Sequence, residues 1–282
     1  MPICTITFPA IDPVFIHLGP IEIRWYALGY IFGLVLGAVY AKALVRSRSL
    51  WTEPPGTAAD IDDLLVWVAL GVIVGGRLGQ VFLYEPHFFF THPLEIPKLW
   101  HGGMSFHGGF VGATLAIILF ARHQGISILS YLDMCAAVTP IGLFLVRLAN
   151  FVNGELWGRI SDVPWAVVFP AAGALPRHPS QIYEAILEGL VLFFLLLFLV
   201  RLKALKRPGL LAGCFVFGYA CTRSVAEIFR EPDGLVIGPI TLGMGYSIPM
   251  AVIGIWLILQ ATRWTSPCPL DESSTSSIAK SK

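Results

Sequence analysis

A small set of residues in this chain is able to do chemistry: Tyr26, Arg77, His107, Arg147, Asn150, Glu155, Gln181, Tyr183, Glu184, Glu188, Arg223 and Glu227. Each lies within or at the end of a long apolar stretch, where an ionisable side chain is costly and marks a site by default. Guanidinium groups keep their charge and bind the oxygens of a phosphate or carboxylate in pairs. A histidine with an ordinary pKa near 6.5 can accept a proton at neutral pH. Together these types suit binding an anion, stabilising charge that grows on it, and moving one proton. Structural readings stand beside this one. Arg223 and Glu227 are four apart and can neutralise each other on one helix face. Arg77, in VGGRLGQ, has backbone carbonyls as possible partners. In HGGMSFHGGFVG, Ser105, Gly108, Gly109 and Gly112 share one side of a helix, which either lets helices approach or leaves room for a ligand beside His107.

The elements that carry these residues are membrane spans. Of 282 residues, 56% are hydrophobic and 13% charged, with mean hydropathy +0.73. Soluble domains carry about twice that share of charge, so a water-soluble enzyme, a disordered chain and a coiled coil are excluded. A net charge of +1 gives no basic nucleic-acid surface. Five scattered cysteines, Cys4, Cys135, Cys214, Cys221 and Cys268, form neither a disulfide framework nor a zinc motif. Seven stretches are long and apolar enough to predict spans, at about 21–45, 62–84, 104–121, 131–149, 181–200, 209–229 and 240–262. The expected fold is an all-α polytopic membrane protein. One membrane domain is expected over 1–264, followed by a disordered tail over 265–282.

Charge orients the spans. Lys42, Arg46, Arg48, Arg122, Arg201, Lys203, Lys206, Arg207, Arg263, Lys280 and Lys282 fall on one side, against Lys98, Arg159, Arg177 and Arg230 on the other. The crowded side is predicted cytoplasmic, which puts the N-terminus outside and the C-terminus inside. The stretch before the first span lacks the basic start of a signal peptide, so that span is expected to direct insertion. Loops at 85–103 and 150–180 then face outward and are long enough to suggest function. Every candidate residue falls in the outer half. A transporter site sits nearer the midplane, commonly between repeats, and no internal repeat is visible here. An intramembrane protease needs a nucleophile or an aspartate pair; Ser105 has no GxSxG setting and Asp133 no partner at its level.

Six segments taken together closely resemble the prolipoprotein diacylglyceryl transferase family. They are HLGPIEIRWYALGY (17–30), GGRLGQVFLYEP (75–86), HGGMSFHGG (101–109), VRLANFVNGELWGR (146–159), PRHPSQIYEAILEG (176–189) and RSVAEIFREPD (223–233). The resemblance implies a seven-span enzyme of the bacterial inner membrane, with its active site toward the periplasm. It implies transfer of the diacylglyceryl group of phosphatidylglycerol to the lipobox cysteine of a prolipoprotein, with release of glycerol 1-phosphate and no metal or organic cofactor. By the same resemblance the family's site residues fall on Tyr26, His107, Arg147, Asn150, Gly154, Glu155, Arg223 and Glu227. Asp133 also matches a family aspartate, but at the cytoplasmic end, where a structural role is expected.

For that reaction, Arg147 and Arg223 are expected to clamp the phosphate and His107 to take the thiol proton. Tyr26 and Asn150 would orient the headgroup, while Glu155, Glu227 and Glu184 would hold the arginines. Three positions depart from the family pattern. His101 replaces a usual acidic residue, Ala149 a glycine, and Met244 a glutamine.

Overall fold

The computed structural model describes residues 6–9, 11–12, 14–18, 21–99, 102–232 and 240–263, with the backbone alone at 18, 21–24, 106 and 107. His101 and the predicted tail lie outside the described residues. The helices are α1 (Trp25–Arg46), α2 (Ala58–Gly79), α3 (Pro86–Thr91), α4 (Phe106–His123), α5 (Ile128–Val152), α6 (Ser180–Glu184), α7 (Leu192–Arg201), α8 (Leu210–Phe229) and α9 (Leu242–Thr262). A π-helical stretch, Gln80–Tyr84, extends α2, and another, Ala185–Val191, joins α6 to α7.

Each of the seven predicted spans corresponds to a helix or continuous helical run, with ends within four residues of those expected. The chain is a polytopic all-α membrane protein. Five helices are long and apolar enough to cross a bilayer: Trp25–Arg46, Ala58–Tyr84, Ile128–Val152, Ser180–Arg201 and Leu242–Thr262. The apolar part of α4, Gly108–His123, is shorter. Helix α8 has the length, at 20 residues, but Arg223 and Glu227 reduce its hydropathy. One boundary needs correction. Residues 21–24 do not begin α1 but form β3 (Ile21–Arg24), paired antiparallel with β2 (Val14–Leu18). β1 (Ile6–Thr7) pairs in parallel with β4 (Val167–Val168), tying the start of the chain to the 150–180 loop.

Helix α2 packs chiefly on α4, α8 on α9, and α1 on α5, while α5 also touches α4, α7 and α8 from the centre. The α2–α4 contact is made by glycine. A Cβ at Gly75 would collide with the Gly108 carbonyl oxygen, and one at Gly112 with that of Gly71. Of the two readings of HGGMSFHGGFVG, close packing is therefore right. The idea that these glycines leave room for a ligand is overturned, because the backbone of α2 fills the space. The Ser105 hydroxyl caps α4 by accepting from Gly108 N at 3.1 Å.

The apolar core, including Phe120, Tyr131, Met134, Leu196 and Leu211, lies at the end of the bundle where α1, α4 and α7 finish. Asp133 is fully buried there. It accepts from Gly209 N and Ala212 N, each at 2.7 Å. It thus supplies to α8, from a neighbouring helix, the carboxylate cap that a helix N-terminus wants. Its role is structural, as expected.

Candidate functional site: an arginine–glutamate cluster opposite the apolar core

At the opposite end, α5, α6 with the π-helical stretch after it, and α8 with the residue that follows it bring six charged side chains into one cluster. Glu184, the last residue of α6, is fully buried and serves three cations. Its Oε2 lies 2.9 Å from Arg147 Nε, and its Oε1 lies 3.3 Å from Arg223 Nη1 and 3.0 Å from Arg230 Nη1. Glu188, also fully buried, sits 3.2 Å from Arg147 Nη2 and 3.7 Å from Arg223 Nη1. Glu227 pairs with Arg223 Nη2 at 2.8 Å. Three guanidinium groups and three carboxylates make the cluster formally neutral, which is how buried charge is kept tolerable. The side chains of Arg147 and Arg223 keep 15% and 16% exposure, against 0% for Glu184 and Glu188. The arginines are thus the members a ligand can reach.

Local structure explains the convergence. Arg223, Glu227 and Arg230 recur at four and three residues, one face of α8 running out at its end. Glu184 and Glu188 straddle the switch from α6 into the π-helical Ala185–Val191, a widened turn common at functional sites. Gly189 in that turn lies against Phe144 of α5, where a Cβ would come 2.7 Å from the Phe144 Cβ. Gly243, in the first turn of α9, backs Glu227: a Cβ there would stand 2.7 Å from its carboxylate.

A second chain of polar groups begins one turn along α5. The Asn150 amide Nδ2 donates to the Tyr26 hydroxyl of α1 and to Glu155 Oε1 at 2.8 Å. Tyr26 stacks on Tyr30 with ring centres 5.7 Å apart. Gly154 and Leu156 take left-handed backbone, φ +64° and +57°. For leucine this is strained, and such strain persists only where surroundings impose it. Here the imposing contacts are Ser180 Oγ donating to Leu156 O at 2.9 Å and Gln181 Nε2 to Glu155 O at 2.6 Å. The side-chain oxygens of Asn150 and Gln181 are buried without a hydrogen-bond partner among the described residues.

The 150–180 loop is strapped over this site. Gly158 N donates to His178 O and Arg159 N to Phe229 O, both at 2.9 Å. Arg177 reaches Glu231 at 2.8 Å. His178 Nδ1 lies 3.1 Å from the Tyr183 hydroxyl, and its ring meets Phe229 edge-on at 5.3 Å. Burial lowers the pKa of His178, with Asp162 pulling the other way.

The family model described as prolipoprotein diacylglyceryl transferase matches residues 13–260. A protein of Nitrobacter winogradskyi named phosphatidylglycerol–prolipoprotein diacylglyceryl transferase is 53% identical over 98% of this chain and 97% of its own. One of the same name from Brucella canis is 53% identical over 93% and 96%. The chain belongs to the prolipoprotein diacylglyceryl transferase family.

In this family member the structure brings Arg147, Arg223 and Glu227 together, and separately Tyr26, Asn150 and Glu155, with Gly154 between. Glu155 does not hold an arginine as expected: its carboxylate accepts from Asn150, while Arg147 pairs with Glu184 and Glu188. His107 lies in the first turn of α4; its side chain lies outside the described residues.

Arg77 is no longer a candidate. Its guanidinium donates to the carbonyls of Glu95, Ile96, Lys98, Gly102 and Gly103, at 2.5–3.1 Å, with the Phe89 ring 4.9 Å away. It is the hub around which the 85–103 loop folds. Arg230 is the opposite case. It reads as one more outer-loop charge in sequence, yet it is 4% exposed and paired with Glu184. Its spacing from Arg223 and Glu227 is the signal that could have found it. Glu188, a candidate without a role, is a central member. Ala149 is buried against Gly29 of α1, a packing change. The Met244 backbone N–H donates to the Thr241 hydroxyl at 3.3 Å in the cap of α9.

Proposed function

We propose that this chain transfers the diacylglyceryl group of phosphatidylglycerol to the thiol of the lipobox cysteine in a prolipoprotein signal peptide. The observation that carries the reading is the outer-end cluster, in which two partly exposed arginines stand in front of buried carboxylates in a member of this family. On this reading the reaction occurs at the periplasmic side of the bacterial inner membrane, within one membrane domain over 1–264. The N-terminus lies outside and the C-terminus inside.

The transfer forms a carbon–sulfur bond at the glycerol C3 carbon and breaks the bond from that carbon to a phosphate oxygen. The thiol loses its proton, and glycerol 1-phosphate leaves. No electron changes hands, so the chemistry asks for no redox cofactor. The leaving phosphate turns from a diester into a monoester with a second ionisation near pH 6, so negative charge grows on it. Arg147 and Arg223 bind the phosphate oxygens and stabilise that charge; in a site poor in water this is commonly the largest contribution to rate. Glu184, Glu188 and Glu227 hold the two guanidinium planes, and Arg230 shares Glu184. Tyr26, Asn150 and Glu155 orient the glycerol headgroup, whose hydroxyls suit the unpartnered oxygens of Asn150 and Gln181. Gly154 shapes the turn that sets Glu155. His107 takes the thiol proton, since a free thiol with a pKa near 8.5 is mostly protonated at neutral pH.

The experiment uses purified protein, phosphatidylglycerol and a synthetic lipobox peptide, with mass spectrometry of the peptide. A diacylglyceryl thioether is expected with the wild type. It is expected to vanish with Arg147→Ala and with a peptide whose cysteine is serine. Folded wild type that yields no thioether overturns the reading.

A further inference from the structure

Below the cluster, α7, α8 and α9 line a half-open apolar groove of about 340 Å³ that the reaction chemistry does not use. Its α7 wall includes Leu192, Leu195 and Leu199, and its α8 wall Cys214, Gly218 and Thr222. We propose that this groove seats one acyl chain of the lipid whose phosphate sits at Arg147 and Arg223. This rests on the reading above and adds a binding subsite to it.

Continuity with the cluster is the first support. On the helix that carries Glu188, residues 192, 195 and 199 follow at four, seven and eleven positions, so one face passes from carboxylate to groove wall. On α8, Thr222 is the residue before Arg223. Direction and length are the second. From Leu192 to Leu199 and from Thr222 back to Cys214 the two walls run about 10–12 Å at 1.5 Å per residue, away from the outer end. Polarity is the third. The Thr222 hydroxyl is turned to its own helix, donating to Gly218 O at 3.0 Å, so the walls offer hydrocarbon. A charged head above and an open apolar groove beneath match one amphiphile: an anionic lipid entering with its chain pointing toward the bilayer centre.

Gly218 controls the width. A Cβ there would meet a single atom within 4 Å, Leu192 Cδ1 at 2.7 Å. That atom ends a flexible side chain, so Gly218→Leu narrows the groove without striking backbone. The experiment measures thioether formation in detergent micelles with dioctanoyl- and dipalmitoyl-phosphatidylglycerol. Gly218→Leu is expected to lower kcat/KM for the long-chain lipid at least tenfold more than for the short-chain one. Cys214→Phe, at the far end, is expected to spare the short chain and penalise only the long. Equal effects on both lipids, whether both retained or both lost, overturn the proposal.

Occupancy is read separately by the rate at which an apolar maleimide labels Cys221, an exposed residue of the same groove. Dipalmitoyl-phosphatidylglycerol is expected to slow labelling more than the dioctanoyl lipid. Protection by the long chain without any thioether supports the groove and overturns the reaction. Turnover with neither protection nor chain-length selectivity overturns the groove and leaves the reaction.

Discussion

Two regions of this molecule hold arginine largely away from water, and they hold it differently. Arg77, between α2 and the 85–103 loop, is met by five backbone carbonyls. Arg147 and Arg223, between α5, α6 and α8, are met by the carboxylates of Glu184, Glu188 and Glu227. Carbonyls bound to their own chain cannot be traded for a ligand without undoing the loop. A carboxylate pair is a balance of like interactions, and an incoming phosphate offers the guanidinium the same geometry and charge. The first arrangement therefore builds structure, and the second is open to exchange. Partial exposure of Arg147 and Arg223 against the burial of Glu184, Glu188 and Glu227 fits that division.

The contrast can be broken by substitution. The largest effect is expected in the scaffold, from Gly112→Val. Its side chain would enter the backbone of Gly71, and the cost should exceed the ~3 kcal/mol usual for overpacking. Little monodisperse protein should survive size-exclusion chromatography, and a good yield would refute the tight α2–α4 contact. Arg147→Lys comes next. It keeps the charge but loses the paired geometry, so thioether formation should fall about a hundredfold or more while the thermal midpoint moves little. Arg77→Lys should show the reverse pattern: about 2–4 kcal/mol of stability lost as carbonyls go unpaired, with activity per folded molecule near wild type. Similar behaviour of the two lysine variants would erase the distinction.

Smaller effects sharpen it. Tyr26→Phe removes one hydrogen bond to Asn150, worth roughly 1 kcal/mol. A several-fold drop in turnover is expected with the melting curve nearly unchanged. The smallest concerns pH. Because burial lowers the pKa of His178 in the folded protein, the unfolded chain takes the proton first as pH falls. Stability present above about pH 6.5, the ordinary histidine value, is then lost as pH drops through the folded pKa. His178→Gln should flatten the fall in thermal midpoint between about pH 7.5 and 5.5. An unchanged slope would show that other groups set it.

Much of this architecture is legible in the order of the residues. Span positions follow from hydropathy, because a bilayer demands long apolar helices whatever their partners. Arg223 and Glu227 stand out as a pair because four residues make about one helical turn. Arg230 does not, since a basic residue just past a span looks like an ordinary loop charge; its spacing from Arg223 and Glu227 is the one hint, and its pairing with Glu184 gives it a role. Glu188 is visible as a buried charge but without a partner, because Arg147 is 41 residues away. The β2–β3 hairpin is hidden behind apolar residues that serve a strand as well as a helix.

Composition and residue order are therefore enough for the membrane class, the positions of the main helices and the set of charged residues that need explaining. They cannot say which arginine is held by backbone carbonyls and which by carboxylates in the candidate site. That depends on which groups come within about 3–4 Å of each other across different helices, a matter of packing between segments far apart in the chain. Local rules of period and propensity do not reach across that distance; the tertiary fold alone decides it.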